Sequence, residues 1–574
     1  MKLLLGYLKP YRKYIALALI VKMAGTLVEL ALPYILSYIL DDVVPLGQVR
    51  LVVLWGIAMI VCALAALIGN VVANRMAARV ARNSTEKLRH ALFERVMTLS
   101  PRQIDAYTVP SLESRLTSDT YHVHHFVGMS MRMGVRAPIL LIGGILVTMT
   151  LDPVLTLVMV LVLPFIALSV GIITKKGVPL FRKTQRSVDA MVRVVREDAQ
   201  GIRVIKALSK DDYERRKYDG ANRRLVADEQ KASSTMAASN PLVTFFLNFG
   251  LVTVVVVGAY LVNNQRSEPG KIIAFIQYFT LISNAMIGIT KIFVNYSKGA
   301  ASAQRIEEVV LTEPDLEVVS PDDYPPQEDA GYLVFDDVSF SYVGRSDNLS
   351  HISFSLPKDG TLGIIGATGC GKTTLISLLM RFYDVNSGSI RIGGRDVRTI
   401  PHEELNRLFG TVMQNDFIYA GSIRENIDFG RGLKDEDIRR AARLAQAEEY
   451  ISAYEDGYDH MLNSKGTNLS GGQKQRLLIA RALAGTPEIL VLDDASSALD
   501  YKTDSCLRRS IREHMAGTTT VVVAQRVSSV MNSDLILVLD EGRIIGCGTH
   551  AELTERCEVY REISESQIGG AILD

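Results

Sequence analysis

The chain has 574 residues, enough for a large membrane domain plus one soluble domain of ordinary size. Its 63 Lys and Arg against 62 Asp and Glu leave a formal charge of +1, so no basic excess argues for a nucleic-acid partner. Five cysteines stand scattered and none has metal-ligand spacing.

Apolar residues concentrate in the first three hundred positions. The amino end, Met1 to Pro10, lacks the long apolar core and small-residue cleavage site of a signal peptide, and reads as an amphipathic helix on a membrane surface. Six apolar runs follow, near 15–40, 51–74, 136–151, 153–174, 241–262 and 271–294. Each can cross a bilayer, which takes about 20 residues. The third is short as written and should begin before Arg136, and Asp152-Pro153 reads as a tight turn into the fourth. The loops 41–50 and 263–271 carry little positive charge, whereas 75–132 and 175–231 are long, rich in Arg and Lys, and helical in pattern. The positive-inside rule puts those long segments and both termini in the cytoplasm of a multi-pass protein of the cell (inner) membrane. Lys22 and Glu29 lie seven apart on the first span and share a face. Charges at such depth are candidates for a transport path, or for contacts with neighbouring helices. Lys291 falls near the cytoplasmic end of the sixth. The stretch 311–330, rich in Pro, Asp and Glu, reads as a linker that lets the two halves move. The domain reading is therefore 1–310 membrane, 311–331 linker and 332–574 a second domain, whose motifs carry its chemistry.

The second half opens its chemistry after the apolar strand that starts at Thr361. Gly366, Ala367, Thr368, Gly369, Cys370, Gly371, Lys372, Thr373 and Thr374 form a P-loop that leads into a helix. Glycines let backbone N–H groups turn inward around phosphate oxygens, and the helix start adds its positive end. Lys372 can reach the β- and γ-phosphates of ATP, and Thr373 offers a hydroxyl to Mg²⁺. Cys370 puts a thiol inside this loop, where a thiol reagent should block ATP. Further on, Leu469, Ser470, Gly471, Gly472 and Gln473 read as the cap of a second helix, another ready-made phosphate site. The strand that starts at Ile489 ends in the acid pair Asp493-Asp494.

This ordered set resembles the ATP-binding cassette (ABC) transporters. Residues from about 333 resemble their nucleotide-binding domain, and residues 1 to about 310 the membrane domain of their exporter type. The resemblance implies a fold of six membrane helices with long cytoplasmic extensions, fused to an α/β P-loop domain with a helical subdomain. Two such domains would stack head to tail, with ATP between each P-loop and the other's 469–473 cap. Tyr342 then matches the aromatic that stacks on adenine, and Gln414 the glutamine that reaches Mg²⁺ and senses the membrane domain. The run Ser497, Ala498, Leu499, Asp500 matches the loop that crosses between sites. Asp493 resembles the Mg²⁺-organising aspartate, so Thr373, Gln414 and Asp493 form the implied metal set. Coupling helices are implied around 107–118 and 207–213.

Two positions depart from the family pattern. Asp494 stands where a water-orienting glutamate is usual, and Gln525 where a histidine contacts the γ-phosphate. Aspartate is one methylene shorter, and glutamine cannot become cationic. The cap, with Ser470, Gly471, Gly472 and Gln473, is intact. The expectation is therefore a slow ATP site in one subunit of a heterodimeric bacterial exporter, whose partner is a second ABC half-transporter with a consensus site. Multidrug or lipid-like amphipathic cargo is the family default, and nothing names the cargo further. A homodimer with two slow sites, an ATP-gated channel or regulatory subunit, and a peptide or siderophore transporter are the alternatives. The six apolar spans argue against a soluble ATPase.

Overall fold

The computed structural model describes residues 1–327, 331–342, 344 and 347–569. Two units partition the chain: Met1–Met97 with Thr108–Thr312, and Thr98–Tyr107 with Glu313–Asp574. The helices of the first half, in order, are α1 (Lys2–Leu8), α2 (Arg12–Tyr38), α3 (Val49–Met97), α4 (Pro101–Tyr107), α5 (Val109–Ser114), α6 (Thr120–Leu151), α7 (Pro153–Gln200), α8 (Ile202–Ala207), α9 (Asp211–Ala237), α10 (Ser239–Asn263) and α11 (Pro269–Val310). All but α4 belong to the first unit.

Among the described residues, six helical stretches are long and apolar enough to cross a membrane: Lys2–Leu46, Val49–Met97, Val109–Leu151, Pro153–Gln200, Asp211–Asn263 and Pro269–Ile289. The third starts well before Arg136, as its composition predicts. Helix α3 has 49 residues, roughly 73 Å at 1.5 Å per residue, against a hydrocarbon layer of about 30 Å. Such helices must run far outside the bilayer, which is why their distal turns are rich in Arg and Lys. Asp152 breaks α6 from α7 in extended conformation, and its Oδ1 accepts from the N–H of Val154 at 2.9 Å and of Leu155 at 3.2 Å. With Pro153 in the first turn, this satisfies the exposed donors of α7 and fixes the predicted turn. Helices α2 and α3 approach closely at Gly25 and Gly69, where a Cβ on Gly69 would stand 3.4 Å from the Gly25 Cα. The core between α6, α7 and α11 is apolar, with Leu140, Met159, Ile166, Phe279 and Ile282 buried together.

The second unit is built on twelve strands: β1 (Leu333–Phe340), β2 (Leu349–Leu356), β3 (Thr361–Gly366), β4 (Ser387–Ile392), β5 (Arg395–Asp396), β6 (Phe409–Val412), β7 (Gly421–Ser422), β8 (Met461–Leu462), β9 (Ile489–Asp493), β10 (Thr519–Val523), β11 (Leu535–Asp540) and β12 (Arg543–Gly548). One sheet runs β2-β1-β4-β5 and is antiparallel; β7 and β8 form a short pair. The larger sheet runs β12-β11-β3-β10-β9-β6, and β3, β10 and β9 are parallel neighbours. A helical layer, including Asp435–Leu444 and Gly471–Ala484, packs Ile438, Ala441, Ile479 and Leu483 into its own core.

The segment expected as a loose linker is fastened to this second unit. The Glu317 carbonyl accepts from Arg381 at 2.6 Å, the Leu316 carbonyl lies 2.9 Å from His402 Nε2, and the Val319 N–H donates to the Arg398 carbonyl at 3.0 Å. Composition marks the stretch as rich in Pro, Asp and Glu. It could not show that the backbone's hydrogen bonds go to distant residues instead of water.

Candidate nucleotide site

Three adjacent parallel strands bring the sequence motifs together. The P-loop leaves the end of β3, Asp493 closes β9, and Gln525 follows β10 by two residues. Register holds them level, with Val523 opposite both Asp493 and Ile364. A crevice beyond the carboxyl ends of parallel strands is the usual ligand position in such sheets. Here one cleft is lined by Thr368, Gly369, Lys372, Gln414, Asp494 and Gln525, with Gly371, Thr373, Thr374 and Asp493 beside them.

The loop has the shape that its glycines predict. Gly369 and Gly371 take φ of +86° and +105°, and Gly371 caps helix α12 (Lys372–Leu379). At Gly371 a Cβ would also meet Leu349 Cδ2 at 2.7 Å, so two constraints demand glycine there. Lys372 Nζ donates to the carbonyls of Gly366 at 2.8 Å and Ala367 at 2.7 Å, and has no acidic partner among the described residues. An ammonium held only by neutral carbonyls beside a turn of inward N–H groups fits a polyphosphate. Cys370 is buried, its Sγ 3.8 Å from Lys372 Nζ.

Asp493 is buried and accepts a bond from the Thr373 hydroxyl at 3.1 Å. Burial pushes its carboxyl above the usual carboxylate range; Thr373 works against this and the neighbouring Asp494 charge adds to it. Burial also raises Asp494, opposed by Lys372 and Arg526. Two adjacent carboxyls next to a hydroxyl and the Gln414 amide form an oxygen-rich set that suits Mg²⁺, so Thr373, Gln414 and Asp493 fit the ion the sequence implies.

The two departures face each other. Gln525 Nε2 donates to Asp494 Oδ2 at 3.4 Å, a long bond. Asp494 itself sits at φ +53°, uncommon for a residue with a side chain. Its N–H donates to the Val523 carbonyl at 3.0 Å, and its carbonyl accepts from Ser497 Oγ at 2.9 Å and Gln475 Nε2 at 3.4 Å. The backbone is thus held from both sides.

Tyr342 is 43% exposed and stands edge-on to Phe340 and Tyr383, with ring centroids 4.9 and 5.1 Å away. Its hydroxyl reaches Thr374 Oγ1 at 3.4 Å, so the half-open ring stands beside the P-loop helix where a base could stack. The cap lies elsewhere. Ser470 Oγ accepts from the Gln473 N–H at 3.3 Å while the Gln473 side chain accepts from the Ser470 N–H at 2.8 Å, a complete capping box. Gly471 and Gly472 pack on Ala498, and none of Ser470, Gly471, Gly472 and Gln473 lines the P-loop cleft. Within one chain the P-loop cleft and the cap are separate.

Comparison with known proteins decides the family. Residues 15–286 match the family described as ABC transporter transmembrane region, and residues 349–497 match the one described as ABC transporter. A Bacillus subtilis protein, the uncharacterized ABC transporter ATP-binding protein YfiB, is 33% identical over 567 residues, covering 98% of each chain. The chain belongs to the ABC transporter family. The Mycobacterium tuberculosis ABC transporter ATP-binding protein Rv1273c, also uncharacterized, is 32% identical over 577 residues, again with 98% of each covered. Among solved structures, a bacterial Atm1-family ABC exporter with ATP bound shares the fold at TM-score 0.80 and 24% identity, covering 97% of this chain and 98% of that one.

Several residues of this ABC transporter escaped sequence reasoning. Asn348 lines the cleft, and its Oδ1 accepts from the Tyr342 N–H at 3.0 Å. Gln567, on the helix Glu558–Gly569, grips the turn after β10: its Oε1 accepts from the Val527 N–H at 2.8 Å and its Nε2 donates to the Gln525 carbonyl at 2.9 Å. Tyr383 packs on Tyr342 and donates its hydroxyl to Asp105 of α4 at 3.0 Å. Burial, then the hydrogen bond to Asp105, pushes the Tyr383 phenol up to about 12. No local motif marks these residues, and Gln567 and Tyr383 act through contacts far away in sequence.

Proposed function

We propose that this chain is one half of an ATP-driven exporter in which its own P-loop site turns over slowly and its intact cap serves a partner. The observation that carries the reading is the Asp494–Gln525 pair, which replaces the water-orienting acid and the γ-phosphate contact together and lies inside the P-loop cleft. In the proposed dimer, Tyr342 stacks the base, and Lys372 with the 366–374 loop holds the phosphates. Thr373, Gln414 and Asp493 hold Mg²⁺, whose charge would offset that developing on the transferred phosphoryl group. Asp494 is the acid available to orient water, but it is set back by its short side chain. ATP at this site therefore works chiefly as a clamp between the two nucleotide domains, while the partner's site, completed by Ser470, Gly471, Gly472 and Gln473, resets the cycle. The nucleotide domains and both termini would face the cytoplasm, in keeping with the Arg- and Lys-rich extensions. Amphipathic molecules of the bilayer are the proposed cargo.

The test is phosphate release by the purified chain, alone and with its co-purified partner. The reading expects near silence alone, and loss of the pair's activity when the partner's own catalytic glutamate becomes glutamine. Brisk turnover by the chain alone overturns it in favour of a homodimer with two working sites.

A further inference from the structure

The intramembrane charges of the first unit are answered inside the helix bundle. Lys22 Nζ donates to Asn70 Oδ1 at 2.8 Å and Asn74 Oδ1 at 3.1 Å, and Glu29 accepts both bonds of Arg136, at 2.6 and 3.2 Å. The nucleotide cleft, by contrast, holds a donor that the chain does not use. Asn348 lines that cleft and is exposed. Its Oδ1 accepts from the Tyr342 N–H at 3.0 Å. A peptide N–H bonds only to an acceptor, so this bond settles which end of the amide is oxygen and leaves Nδ2 at the free end. Among the described residues none accepts from that Nδ2.

An exposed amide ordinarily bonds water, and what sets this one apart is its place. The N–H of Asn348 donates to the Phe340 carbonyl at 2.7 Å. Its carbonyl stands 3.1 Å from where a Cβ on Gly371 would lie, and 2.6 Å from one on Gly542. Both glycines have positive φ, +105° and +78°, and the Gly542 N–H donates to the Cys370 carbonyl at 3.2 Å. The backbone of Asn348 is thus wedged against the P-loop, while its side chain is tied to Tyr342. Tyr342 marks the base end of the proposed ATP site, and Gly371, Lys372 and Thr373 mark the phosphate end. The part of a nucleotide that lies between base and phosphates is the ribose, whose hydroxyls and ring oxygen accept hydrogen bonds.

We infer that Asn348 is a further nucleotide-binding residue, its Nδ2 donating to a ribose oxygen of the ATP held at this site. The inference rests on the reading of the P-loop cleft as a slow ATP site, and it gives the clamp a residue of its own. A bond to the sugar is made equally before and during hydrolysis, so it tightens binding and leaves kcat alone. It prolongs the stay of ATP without helping to consume it.

The experiment measures binding, not turnover. The full chain, purified alone in nanodiscs with Mg²⁺, releases radiolabelled ATP to one of three competitors: ATP, ribose 5-triphosphate, which lacks the base, or methyl triphosphate, which lacks base and sugar. Ribose 5-triphosphate is expected to compete about fivefold more tightly than methyl triphosphate, the gain of one hydrogen bond to a neutral acceptor. Asn348→Val should erase that step while the methyl triphosphate affinity and the further gain from the base persist, and pre-bound ATP should leave about fivefold faster. Asn348→Asp keeps the acceptor for the Tyr342 N–H and lacks the donor. It should lose the sugar step too, read as a ratio so that the repulsion of its charge on every triphosphate cancels. A wild-type chain without the sugar step, or a step that survives either variant, overturns the inference. So does an equal loss for all three competitors in Asn348→Val, which puts the donor on a phosphate. Brisk phosphate release by a chain that keeps the sugar step sinks the slow-site reading alone, whereas near silence without that step sinks the assignment of Asn348 alone.

Discussion

Restoring glutamate and histidine at positions 494 and 525 is the most direct perturbation of the proposed slow site. Aspartate's carboxylate falls back by about 1.5 Å relative to glutamate, and misplacing a catalytic group by about 1 Å costs on the order of a hundredfold. The protein cannot recover that distance by shifting its backbone. Asp494 is fastened through Val523 on its N–H and through Ser497 on its carbonyl, at 3.0 and 2.9 Å. Gln525 offers the carboxylate only a 3.4 Å contact. D494E with Q525H is therefore expected to raise turnover at this site about 100-fold, a barrier change of about 2.7 kcal/mol. The assay is steady-state phosphate release from the reconstituted pair, with the partner's catalytic glutamate changed to glutamine so that only this site reports. A rise below threefold, with ATP binding unchanged, refutes the argument that reach limits the reaction.

Three further outcomes follow from contacts in the second unit. Gln567→Ala removes both bonds to the turn after β10, about 1–2 kcal/mol of local stability; hydrogen exchange at 524–528 should quicken while ATP affinity holds within about twofold. Tyr383→Phe keeps the ring against Tyr342 but drops the bond to Asp105, so nucleotide binding should persist while cargo-stimulated hydrolysis falls; a double-mutant cycle with Asp105→Asn measures the coupling. Cys370 is 5% exposed, so thiol reagents should label exposed Cys547 long before they reach the P-loop, and ATP should slow the P-loop reaction further. Peptide mapping of the labelled chain checks the order.

The sequence disclosed what depends on local pattern. The six spans are runs of apolar side chains, and the P-loop and the Ser470 cap are backbone turns whose residues are neighbours in the chain. Even Asp494 and Gln525 were legible, as two residue types that depart from the pattern of their motifs. Their mutual contact was not, because β9 and β10 become neighbours only when the sheet forms. The fastening of 313–327 was hidden for the same reason: Arg381 and His402 lie some 64 and 86 positions from their acceptors. Lys22 and Glu29 were visible as intramembrane charges, but the helices that answer them had to be seen.

The membership of 98–107 in the second unit has a consequence for biosynthesis. Asp105 leaves the ribosome long before Tyr383, its partner 278 positions later. At about 5–20 residues per second, the interval is roughly 14–56 s. During that time α4 has emerged without the surface it will join, and Ser100 waits similarly for Asp315, 215 positions on. The second unit is therefore sealed only at the end of synthesis by a piece of chain made near its beginning. A fragment starting at residue 313 lacks that piece, and its exposed Tyr383 hydroxyl and Arg381-anchored edge give it an unfinished surface that the whole chain never displays once complete.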